Sequence, residues 1–141
     1  MEAQKAYAIG ETPIGAVVVK DGEIIGRGHN LREKLADASA HAEMIAMRMA
    51  AQSIGDWRLN DVSVYVTLEP CPMCAGAMLQ FRVKTLVYGA QDHKSGAVDS
   101  VMDIVREPRF NHQTAVISGV LEIECRELLQ KFFRELRSKH K

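Results

Sequence analysis

Residues Val62–Gly89 read VSVYVTLEPCPMCAGAMLQFRVKTLVYG, and this stretch decides the fold. Val62 to Leu68 is rich in valine, tyrosine and threonine, the residues that suit a pleated and half-buried strand, and Lys84 to Gly89 repeats that character. Between them Pro70 opens a predicted helix from Cys71 to about Phe81, because proline is favoured in a first turn where its missing N–H costs nothing. Strand, helix and strand in succession are the building unit of an α/β protein.

Upstream, Ile14 to Lys20 and Glu23 to Gly28 are β-rich segments joined by Asp21-Gly22, a two-residue hairpin signal, so the first two strands are expected to be antiparallel. Before them, Glu2 to Ile9 reads as the last turns of a helix, with Gly10 as its cap and Pro13 just beyond. From His41 to about Ile54 the residues Met44, Ile45, Met47 and Met49 suit a helix buried on much of its surface and closed by Gly55. Downstream, Ala115 to Ser118 gives a fifth strand. Glu122 to Ser138 gives a final helix whose apolar stripe is Leu128, Leu129, Phe132, Phe133 and Leu136. The sum is a mixed five-stranded sheet with helices on both faces, without internal repeats.

A chain of 141 residues, 47% apolar and 26% charged, fits one domain spanning 1–141 that is ordered throughout. No apolar run approaches the roughly 18 residues of a membrane helix, and no basic region precedes an apolar one at the N-terminus. The expectation is a cytoplasmic protein with no membrane partner. Three cysteines, two of them in one Cys-x-x-Cys, make a poor disulfide framework and point to metal or thiol chemistry. Zero net charge hides an asymmetry. From Arg126 to Lys141 six basic residues (Arg126, Lys131, Arg134, Arg137, Lys139, Lys141) face only Glu127 and Glu135, a local balance of +4. Such a segment suits phosphates, although a solvated helix with i,i+4 pairs has the same composition.

Two short motifs carry the chemistry: His41-Ala42-Glu43 and Pro70-Cys71-Pro72-Met73-Cys74, each beginning a predicted helix. One imidazole and two thiolates make three zinc ligands, the number found where a fourth tetrahedral position is kept for water or substrate. A closed structural site would want a fourth Cys or His. Thiolates at a helix start are also favoured by the positive end of its dipole. Bound zinc lowers the pKa of a water to about 7, which makes a nucleophile available at neutral pH. Hydrolysis of an amine then needs a proton carrier, and Glu43, two residues after His41, is the candidate. Taken singly, a buried His is more often a core residue, and a Cys-x-x-Cys can be a redox pair or half a zinc knuckle; together the two motifs are far more specific.

Along nearly its whole length the sequence resembles the bacterial tRNA-specific adenosine deaminases of the cytidine-deaminase superfamily. The resemblance rests on Glu11-Thr12-Pro13-Ile14-Gly15-Ala16-Val17, Gly28-His29-Asn30, the His41-Ala42-Glu43 helix and Tyr65 through Met78. It continues in Tyr88-Gly89-Ala90, Arg109-Phe110-Asn111-His112 and Phe132-Phe133-Arg134. His-x-Glu with Pro-Cys-x-x-Cys is the signature by which zinc deaminases, this family included, are known. The resemblance implies a three-layer, cytidine-deaminase-like fold and one Zn2+ per chain held by His41, Cys71 and Cys74. It implies that Glu43 is catalytic, shuttling protons during attack on C6 of a flipped-out adenine.

It further implies that Asn30 and Ala42 meet the base and that Asp92 and Lys94 contact the target nucleotide. Asn111, His112, Phe133 and Arg137, with Arg134 beside them, would surround a splayed anticodon loop. The implied partners are a tRNA anticodon stem-loop and a second copy of the chain in a homodimer. Gln80-Phe81 and Val98-Asp99 depart from the family's usual residues, near the expected border of the RNA cleft or dimer seam. Two other readings share part of the pattern: a guanine or other small-purine deaminase, and an RNA-binding module with a structural zinc.

Overall fold

The computed structural model describes residues 1–139; Lys141, counted above in the basic segment, lies outside them. The elements in order are α1 (Glu2–Ala8), β1 (Gly15–Lys20), β2 (Glu23–His29), α2 (Ala42–Ile54), β3 (Ser63–Leu68), α3 (Pro72–Phe81), β4 (Thr85–Ala90), β5 (Ala115–Ile117) and α4 (Glu122–Lys139). The strands form one mixed sheet in the order β2-β1-β3-β4-β5, with β1 antiparallel to β2 and β3, and β3, β4 and β5 parallel. The β1–β2 hairpin turns on Asp21 and Gly22 with φ of 51° and 78°, the paired positive values that a two-residue type I′ turn requires.

Register explains the layering. Gly26, Val18, Val64, Leu86 and Val116 stand side by side across all five strands, with Gly28, Ala16, Val66 and Tyr88 in the next row but one. Because side chains alternate between faces, these rows share one face, and there they meet α2 and α3 in the main core. Ala42, Ala46 and Ala50 recur every four residues along α2 and are fully buried. They let the helix lie directly on the glycines of β2: a methyl group on Gly28 would come within 2.9 Å of the Ala46 nitrogen. The small residues of α2 and the glycines of β2 thus set how near the helix comes to the sheet.

The opposite face carries Arg27, Val17, Tyr65, Val87 and Ile117 in one row. Here α1 sits beside Gly15, and α4 places Cys125 over Gly89. The cover is incomplete, since Tyr65 and Ile117 keep 43% and 53% of their surface exposed. The two helices are joined to each other: the Tyr7 ring packs edge-on to Phe132 at 6.0 Å, and the Tyr7 hydroxyl donates to Glu135. Helix α1 closes with a Schellman turn, in which Glu11 N–H reaches Ala6 O and Gly10 N–H reaches Tyr7 O, with Gly10 left-handed at φ 81°.

One expectation is corrected. The proline at the start of α3 is Pro72, with Cys71 as the N-cap; Pro70 lies ahead of the helix, where its carbonyl accepts the N–H of Ala97. The apolar stripe of α4 is buried at Leu129 and Phe132, while Phe133 and Leu136 remain exposed.

Candidate active site

The two motifs meet at the starts of α2 and α3, at the end of the sheet where β3 and β4 finish. His41 is the N-cap of α2 and Cys71 the N-cap of α3, both with extended backbone, and Cys74 lies in the first turn of α3. His41 Nδ1 is 3.6 Å from Cys71 Sγ and 3.5 Å from Cys74 Sγ, and all three ligand atoms lie within 4.8 Å of one another. Tetrahedral zinc, with bonds of about 2.3 Å to sulfur and about 2.0–2.1 Å to nitrogen, requires N···S edges of about 3.5 Å. The donor set therefore fits zinc in both chemistry and spacing.

Charge is already arranged for a cation. A hydrogen bond from the Cys74 thiol, with a further one from His41, pulls the Cys71 thiol down to about 4, so that Cys71 is a thiolate. Cys74 is pushed up because it holds the proton that it gives to Cys71, and because it is buried. His41 is raised by its hydrogen bond to Cys71. Glu43 is the second residue of α2 and only 4% exposed; burial pushes its carboxyl up to about 7. A carboxyl poised there can both take and give a proton near neutral pH.

His41, Glu43 and Cys71 form the floor of an open cavity of about 530 Å³. One wall comes from Thr12, Ile14, Asn30 and Arg32, the other from Gln91 through Ser95, and Leu129 and Phe133 of α4 close the rim. Of the residues singled out from the sequence, Asn30, Ala42, Asp92, Lys94 and Phe133 line the cavity together with His41, Glu43 and Cys71. Asn30 is buried and its Oδ1 accepts the N–H of Arg32. The Asp92 carboxylate accepts the N–H groups of Lys94 and Ser95 and so shapes its own loop. Phe133 is 41% exposed, which removes simple core packing as the account of it.

Other expected residues stand apart. Asn111 and His112 are not on the cavity wall: the His112 ring nitrogen lies 2.8 Å from the Val83 carbonyl, before β4 begins. The length of β4 puts that end of the sheet roughly 20 Å from the floor of the cavity. Arg134 and Arg137 do not line the cavity either, but Leu129, Phe133 and Arg137 follow one another at intervals of four along α4, so Arg137 extends the row that forms the rim. Sequence reasoning passed over Arg32 and His93 on the two walls. Both lie within two residues of positions it did select, which was the available signal.

Comparison with known proteins agrees with this geometry. A family model described as MafB19-like deaminase matches residues 1–137. A tRNA-specific adenosine deaminase of Bacillus subtilis is 55% identical over 140 residues, covering 99% of this chain and 87% of that protein. A solved structure from work on A-to-I editing by tRNA:A34 deaminases at the wobble position superposes with a TM-score of 0.86 at 46% identity, covering 90% of this chain and 92% of the other. A guanine deaminase of Bacillus subtilis shares the fold at lower similarity, with a TM-score of 0.63 and 33% identity over 94% of this chain and 87% of its own.

Proposed function

This chain belongs to the MafB19-like deaminase family and, within it, to the tRNA-specific adenosine deaminases, and from that premise we propose that it converts adenosine to inosine at the wobble position of a tRNA anticodon loop. It is a hydrolytic deaminase: water replaces the 6-amino group, and ammonia leaves. The single observation that carries the reading is the convergence of His41, Cys71 and Cys74 at zinc-ligand spacing beside the buried Glu43, with His41, Cys71 and Glu43 opening onto a cavity wide enough for a nucleoside.

His41, Cys71 and Cys74 would hold one zinc ion per chain, leaving one tetrahedral position free of protein. When bound, zinc supplies a Lewis acid that brings the pKa of a water to about 7. Glu43 takes a proton from the attacking water and returns it to the purine, so that the amine departs as ammonia. Asn30, at the end of β2, orients the base edge from one wall while Asp92 and Lys94 approach the nucleotide from the other. Phe133 offers a ring for stacking at the rim, the common way in which a splayed single-stranded base is held.

Arg134, Arg137 and Lys139 on α4 make no ion pair among the described residues, which leaves their charge for phosphates outside the cavity. Asn111 and His112 belong to the far end of the sheet, and their part in RNA binding rests on the working unit being a homodimer that draws on both subunits. No helix of the described residues is long and apolar enough to cross a membrane, and the reading places the enzyme in the cytoplasm with its substrate.

The test is incubation of the zinc-loaded protein with an anticodon stem-loop carrying adenosine at the wobble position, followed by nucleoside analysis, with free adenosine, cytidine and guanine in parallel. Inosine from the stem-loop alone is expected. Turnover of free guanine with none of the stem-loop would replace this reading with that of a small-purine deaminase.

A further inference from the structure

Two carboxylates are buried beside the cavity without having a part in the chemistry described so far. Glu11 is 1% exposed and Glu69 2% exposed. Neither makes an ion pair among the described residues; each spends its charge on backbone N–H groups. Glu11 Oε1 accepts from Glu33 at 3.1 Å, and Oε2 from Lys34 at 2.8 Å. Glu69 Oε2 accepts from Val98, Asp99 and Ser100 at 3.0, 2.8 and 2.9 Å. Its Oε1 accepts from Asp92 at 3.1 Å and from the Ser100 hydroxyl.

The two sets of donors belong to different loops. Residues 31–40 run from the end of β2 to the metal ligand His41 and carry Arg32; residues 91–100 follow β4 and carry Asp92, His93 and Lys94. Both loops leave the same end of the sheet. With β1 and β3 between them, the strands they follow are three spacings apart, roughly 14 Å. Each loop is thus pinned from inside the fold by one anion. Hydrogen bonds to an ionised acceptor are the stronger kind, and several converging on one carboxylate leave a loop little freedom.

Gly96 fits this account independently. A methyl group there would collide with the Glu69 carboxylate and come within 2.5 Å of the Asp92 carbonyl of the same loop, so the loop can close around the anion only because position 96 has no side chain.

We infer that Glu11 and Glu69 are positioning residues, twin clasps that hold the two substrate-bearing loops at a fixed separation before RNA arrives. The inference rests on the functional reading above for the identity of the substrate, and on the hydrogen bonds alone for the clasps. Preorganised loops lower the ordering cost of binding, so releasing one should weaken binding while leaving the proton chemistry at Glu43 nearly intact.

The experiment compares wild type with Glu11→Gln, Glu69→Gln and Gly96→Ala, all zinc-loaded. Glutamine keeps the shape but turns an N–H₂ toward N–H donors, and Gly96→Ala displaces the carboxylate with its charge unchanged. For each variant KM for the stem-loop should rise about tenfold or more, with kcat within about threefold of wild type and one zinc retained. Amide exchange should accelerate at Asp92, Val98, Asp99 and Ser100 in Glu69→Gln and Gly96→Ala, and at Glu33 and Lys34 in Glu11→Gln, each leaving the other loop protected. Should Glu69→Gln fail to fold, Gly96→Ala carries the same prediction. A fall in kcat at unchanged KM, or unchanged exchange at those amides, would overturn the clasps. If wild type formed no inosine from any stem-loop the functional reading would fall, and the exchange pattern would still decide for or against the clasps.

Discussion

His41 Nδ1 stands 3.5 Å from Cys74 Sγ across 33 positions of sequence, a separation that fits one edge of a tetrahedral zinc site and is assembled from two helix starts. Removing one corner leaves two ligands. Cys71→Ala is therefore expected to lose zinc to less than one tenth of an equivalent on dialysis, and to lower thermal stability. Metal analysis checks it, and full occupancy in the variant would overturn the ligand assignment.

Glu43 is buried beside those ligands without being one of them. Glu43→Ala should keep one zinc and an unchanged fold by circular dichroism while losing deamination. General acid–base catalysis contributes about 10²–10⁴-fold, and because Glu43 serves two proton transfers the loss belongs at or beyond the upper figure. Single-turnover rates with excess enzyme would show it; activity within a few-fold of wild type would sink this mechanism.

Much of this was legible from sequence because the signals were local. Asp21-Gly22 fixes a hairpin by its own backbone, and His-x-Glu and Cys-x-x-Cys carry their chemistry within one helical turn each. What escaped depends on partners distant in the chain. Glu11 and Glu69 look like ordinary surface acids until the fold brings loops 22 and up to 31 residues away onto them. The start of α3 lies one residue beyond the expected Cys71, and the proline in its first turn is Pro72 rather than Pro70, because both prolines suit a first turn and only the backbone of Cys71 decides between them. Helical periodicity shows the apolar stripe of α4 but not how much of it the rest of the fold covers, so the exposure of Phe133 and Leu136 is visible only in the structure.

Packing of α2 onto β2 gives a prediction about stability. Gly28 has no room for a methyl group against the backbone of Ala42 and Ala46. Gly28→Ala must push α2 off the sheet and, with it, His41 and Glu43 at its start. A destabilisation of about 1–3 kcal/mol is expected from overpacking. Chemical denaturation of the zinc-loaded protein measures it, and a variant as stable as wild type would mean that α2 is less tightly seated than the geometry requires.

The final prediction separates RNA from a free base through the salt dependence of binding. Leu129 and Phe133 close the cavity rim, and Arg137 continues their row, with Arg134 one turn before it and Lys139 at the end of α4 on another face, all three exposed. Phosphate contacts made there would fix the position of the RNA without reading its sequence. Each phosphate neutralised contributes about 0.7–0.9 to the slope of log affinity against log salt, so replacing Arg134, Arg137 and Lys139 with alanine should flatten that slope by about two units. Zinc content and the fold should not change, because none of the three side chains touches the core or the metal ligands. A titration of stem-loop RNA at several salt concentrations, wild type against triple variant, reads the slope directly. Equal slopes and equal affinities would detach α4 from the RNA site, leaving Phe133 and the two cavity walls as the whole of the substrate contact.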